Sequence, residues 1–212
     1  PSAKNKTYVN ITIALPGANN SRALPEDYNP DGTYEGNDLI KTLDLYLVGD
    51  DGTTEARRFD QTEIAISNNL ITPSEPFMTS PGVKTAYVFL NSNEPLASTA
   101  PSPNDLIAIS GLAQVENGQD VIMMSGQSTA TTILPDIFKE DVVAGQNRIA
   151  LNVTRIASRV IVTTTAYNSL MDNEGNTIGT ISDLTYSVAQ GTNQVYRCAQ
   201  DNYVTYGSAW IP

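Results

Sequence analysis

Apolar residues recur at every second position in this chain, and that period dictates sheets. In Tyr8-Val-Asn-Ile-Thr-Ile-Ala-Leu15, the residues Val9, Ile11, Ile13 and Leu15 fall on one side of an extended chain, and Asn10 and Thr12 on the other. Successive side chains of a strand point to opposite faces, so this segment reads as one half-buried strand. The period returns over residues 39–48, with Ile40, Leu43, Leu45 and Leu47 as core candidates, and again over 62–67 and 82–90. Residues 106–115 fit a short helix or a strand, 121–124 a short strand, and 133–143 a loop with an edge strand. A long β-run over 149–165 breaks its pattern near Ser158. It reads as a strand bent between two sheets or as two strands with a tight bend. Further strands are expected at 180–189, 194–198 and 203–206. Pro16-Gly17, Gly49-Asp-Asp-Gly52 and Asp172-Asn-Glu-Gly175 supply turns between them. Some nine to eleven short strands, each with one apolar face to cover, imply an all-β sandwich.

Composition narrows the function. The 212 residues include 23 Asp and Glu against 12 Lys and Arg, a formal charge of −11. A nucleic-acid groove needs the opposite sign, and so does adhesion to an anionic membrane surface. No stretch approaches the ~20 apolar residues of a transmembrane helix. There is no histidine, which removes the usual proton shuttle at neutral pH and both Ser-His-Asp and Cys-His catalysis within the chain. The one cysteine, Cys198, has no internal disulfide partner and no neighbouring base to activate it. The adjacent carboxylates Glu26-Asp27 and Asp50-Asp51 sit in turn-rich stretches without the spacing of a calcium loop. No catalytic, cofactor-binding or metal-ligating set is expected, and the chain reads as a secreted structural or binding protein rather than an enzyme.

The first strand and the segment after it carry the most information. Residues 18–36 form a long polar stretch containing Arg22 within Asn19-Asn-Ser-Arg-Ala23. A basic residue in a long polar loop is open to an arginine-specific protease, which would cut between Arg22 and Ala23. Losing the strand would forfeit about 1.5–3 kcal/mol for each of Val9, Ile11, Ile13 and Leu15, about 6–12 kcal/mol together. A whole domain is stable by only about 5–15 kcal/mol. A domain stripped of this strand also exposes unpaired backbone edges, and accepting another strand would satisfy them.

Several blocks resemble the Bacteroidales fimbrillins, the type V pilins, and most of all their short, minor subunit. These are residues 7–15, the Arg22-Ala23 loop, Asp38-Leu-Ile-Lys-Thr-Leu-Asp-Leu-Tyr-Leu-Val48, the region 116–126 with Ile122-Met-Met124, Val153-Thr-Arg-Ile-Ala-Ser-Arg-Val160, and Ile181-Ser-Asp-Leu-Thr-Tyr-Ser-Val-Ala-Gln-Gly191. They follow the family's order over nearly the whole chain. The resemblance implies a transthyretin-like, Greek-key β-sandwich over residues 1–152, with 1–22 as removable strand and cleavage loop, and the start of a second β-domain over 153–212. It implies export as a lipoprotein whose lipidated cysteine lies upstream of Pro1, and a place in an extracellular, cell-surface fimbria. The partners it implies are an Arg-specific protease and other fimbrial subunits, one of which donates a C-terminal strand to the emptied groove. No such donor strand is evident before Pro212. The alternative is a surface adhesin or glycan-binding β-sandwich lipoprotein. It would meet a host glycan or protein receptor through Tyr186, Tyr196, Tyr203, Tyr206 and Trp210, which crowd the C-terminal segment.

Overall fold

A computed structural model describes residues 6–16, 38–102, 104–143, 145–156, 169–180 and 193–198. The fold is all-β, with one five-residue helix, α1 (Lys139–Val143), among the described residues.

Two sheets face each other. The first contains β1 (Thr7–Ala14), β4 (Ile64–Ser67), β5 (Leu70–Pro73), β6 (Phe77–Thr79) and β13 (Arg148–Asn152). Its strand order is β13-β1-β5-β4, with β6 also paired to β1. The second contains β2 (Thr42–Gly49), β3 (Thr54–Asp60), β7 (Gly82–Leu90), β11 (Met124–Gln127), β12 (Thr131–Ile133) and β14 (Thr154–Arg155). Its order is β14-β11-β7-β2-β3, with β12 also on β7. The core lies between them: Val9, Ile11, Ile13, Ile71 and Ile149 from the first sheet meet Leu43, Leu45, Leu47, Val88 and Leu90 from the second.

Turn chemistry sets the hairpins. Asn68 and Asn69, both at positive φ, join β4 to β5 in a two-residue loop. This is the left-handed pair that matches the twist of a hairpin. Asn117 and Gly118 do the same between β9 (Ala113–Glu116) and β10 (Gln119–Ile122). Of the long run over 149–165, the part up to Ile156 is described: β13 belongs to one sheet and β14 to the other, with buried Val153 at the crossing, while the expected break near Ser158 lies outside the described residues.

The outer face of the second sheet is covered as well. β8 (Leu106–Ala108) pairs with β17 (Gln194–Tyr196), and Ile107, Leu112 and Met123 bury Tyr46 and Phe89, whose rings meet edge to face at 5.9 Å. β2 is therefore apolar on both sides, apart from Asp44. That carboxylate is fully buried and accepts from Nε and Nη2 of Arg58, at 2.6 and 2.7 Å. The pairing, chiefly the hydrogen bond to Asp44, raises the pKa of Arg58. Segment 106–115 is thus strand at both ends rather than helix, and 133–143 ends β12 and then forms α1. A further hairpin joins β15 (Ser169–Met171) to β16 (Thr177–Thr180).

Candidate functional site

β1 is an interior strand. On one side it runs parallel to β13, from Asn10 opposite Arg148 to Ala14 opposite Asn152. On the other it is antiparallel to two strands laid end to end: β6 faces Thr7–Val9, and β5 faces Ile13 and Ala14. Bonds beyond these ladders hold the ends. The Tyr8 amide donates to Ile137 O (3.1 Å), the Asn10 amide to Asn147 O (2.9 Å) and the Leu15 amide to Asn69 O (2.8 Å).

The side chains occupy a groove between the sheets. Val9, Ile11 and Ile13 are at most 1% exposed, and Leu15 is partly buried against the same core. Asn10 and Thr12 lie on the other face and are only half-buried. Taking β1 away would open this groove along its full length, with an unpaired backbone edge on each bank. At the Thr7 end the groove turns polar. Thr79, opposite Thr7, donates to Glu55, which lies 3.6 Å from the buried Lys84 ammonium. Thr7 is itself completely buried and contacts Asn147.

Sequence reasoning missed these last two residues. A signal for Thr7 was present: it is in phase with Val9, Ile11 and Ile13 and so had to point inward. Asn147 carried no comparable signal in one sequence. Arg22 and Ala23 lie outside the described residues. So do Tyr186, Tyr203, Tyr206 and Trp210, while Tyr196 is half-buried in β17. Cys198 is partly buried, and that burial pushes its thiol pKa up, against a smaller lowering by Arg197. Among the described residues, no group of three or more His, Cys, Asp and Glu is placed to hold a metal ion. No helix among them is long and apolar enough to cross a membrane.

Two sequences of the Minor fimbrium subunit Mfa1 of Porphyromonas gingivalis are 31% and 30% identical to this chain over 238 aligned positions. The chain is a homologue of the minor fimbrium subunit. The match covers all of the chain and 47% of each relative, so the chain spans about half the length of the curated relatives it matches. No family model matches it. Solved structures of fimbrial proteins from the same organism are also similar to it. The tip protein Mfa3 aligns over 90% of this chain and 67% of its own, at 13% identity and a TM-score of 0.38. The anchor protein Mfa2 aligns over 70% and 51%, at 11% identity and a TM-score of 0.37.

Proposed function

We propose that this chain is the strand-accepting part of a structural subunit of a cell-surface fimbria, and that β1 is its placeholder. In this reading the precursor is exported as a lipoprotein. An Arg-specific protease then cuts after Arg22 and frees residues 1–22, and a strand from a neighbouring fimbrial subunit enters the groove. One observation carries the reading: β1 is paired on both edges and seals the core, and the polar segment that holds Arg22 follows it directly in the sequence. An ordinary edge strand would leave a far shallower opening.

The protease step has a direct test. Limited digestion of the intact chain with an Arg-specific protease should cut first at Arg22–Ala23. Arg57, Arg58, Arg148 and Arg155 should survive that stage, because each sits in a paired strand whose backbone cannot enter a protease cleft without local unfolding. Arg58 and Arg155 are further tied to Asp44 and Asp38. Early cuts inside β3, β13 or β14, with residues 1–22 still attached, would overturn the placeholder reading.

A further inference from the structure

An alternating strand has a weakness as a plug. Its face survives a slip of two residues, so apolar pockets alone leave its register undefined in steps of two. The structure assigns the register to a polar slot at one end of the groove. We propose that Asn147 and the backbone around it read a hydroxyl at the Thr7 position. Any strand that replaces β1 must then carry Thr or Ser two residues ahead of the first of its alternating apolar residues. This rests on the strand-replacement reading above and names the partner strand it requires.

The slot is a closed hydrogen-bonding set. The Thr7 hydroxyl donates to Leu134 O at 2.8 Å and accepts from the Ile137 amide at 3.1 Å and from Asn147 Nδ2 at 3.2 Å. One donated and two accepted bonds use the full capacity of a hydroxyl. Asn147 Oδ1 accepts from the Leu134 amide at 2.8 Å, and its Nδ2 also reaches Tyr8 O (3.0 Å) and Leu134 O (2.9 Å). Asn147 holds this pose at φ 49°, a left-handed conformation that Asn adopts more readily than other side-chain-bearing residues. Of its contacts to β1, those to Tyr8 O and the Asn10 amide are main chain, which any strand supplies. Only the contact to Thr7 depends on the identity of a side chain.

A strand slipped by two places an apolar residue in the slot and the hydroxyl in the apolar groove. The Ile137 amide would then lose its partner and the displaced hydroxyl would find none among the apolar side chains, whereas the two Asn147 N–H groups would keep Tyr8 O and Leu134 O. A deficit of that kind weakens binding by roughly tenfold to a hundredfold. Asn91 provides an internal comparison. It too is buried at positive φ, with its side chain accepting from the Lys41 amide and donating to Leu39 O and Ile122 O, but every one of these partners is main chain. It braces loops and reads no sequence.

The test uses the full chain cut at Arg22 and labelled synthetic peptides of the Thr7–Leu15 sequence. The unaltered peptide and its Thr7→Ser form should enter with affinities within about threefold of each other, and Thr7→Val should bind at least about tenfold more weakly. Slow exchange of the Ile137 amide should accompany only the peptides with Thr or Ser at position 7. In the chain carrying Asn147→Ala, the preference for Thr over Val should shrink below about threefold, whereas Asn91→Ala should leave it intact. Equal uptake of the Thr and Val peptides by the unaltered cut chain overturns the slot and leaves strand replacement standing. No uptake of any peptide overturns both.

Discussion

Gly126 faces the place where the chain crosses from β13 to β14. A Cβ built there would collide with the carbonyl oxygen of Asn152 and press on Val153 Cγ1 at 3.0 Å. The first of these is main chain at the crossing itself and cannot swing aside. Gly126→Ala should therefore destabilise the fold by at least about 2 kcal/mol. In a domain of this size, thermal unfolding should shift down by roughly 4–8 °C. Gly179→Ala is the matched comparison, since its Cβ would meet only Leu170 Cδ1 at 3.7 Å, an ordinary contact. It should change stability by less than about 0.5 kcal/mol. No periodicity marks Gly126 as special, because the close approach is created by a segment 26 residues further along.

Among the elements, β1 was legible because its two faces differ so plainly. Ile11→Asp should cost several kcal/mol, as an ionised carboxylate there has no partner between the sheets. Asn10→Asp, one residue away on the other face and beside Arg148, should stay within about 0.5 kcal/mol of the unaltered chain. Urea unfolding of the two variants separates a packed face from a solvated one. β2 and β7 were legible for the same reason. β3 was not: Thr54-Glu-Ala-Arg-Arg-Phe-Asp60 buries only Phe59, and it is a strand because the edge of β2 needs a partner, not because of an apolar face of its own. Its charges suit an edge that must not pair with another chain. β5 and β6 are too short to show a period, although the Asn68-Asn69 turn signal beside β5 was available. Within the groove, the apolar lining followed from alternation, whereas the Thr7 slot depends on Leu134, Ile137 and Asn147 meeting from distant positions.

At the scale of the molecule, β1 and β13 bring the first and last parts of the sandwich side by side. That pairing is non-local in sequence, so no window of the chain displays it. The six-stranded sheet and its outer covering of β8 and β17 are paired without β1 but lose apolar cover on the inner face when it leaves, and the five-stranded sheet is divided without it. A chain cut at Arg22 and stripped of residues 1–22 should consequently lose its cooperative melting transition, and adding the Thr7–Leu15 peptide should restore one by mass action. A calorimetric transition of unchanged temperature and enthalpy in the stripped chain would show that the sandwich does not depend on this strand. The two-sided pairing has a mechanical corollary. Tension applied along the axis of β1 loads the rungs on both edges in shear and all at once, so no single bond can part ahead of the rest. Tension applied across that axis peels them in succession. A strand in this seat is strongest when pulled lengthwise, as every joint in a filament under drag is pulled.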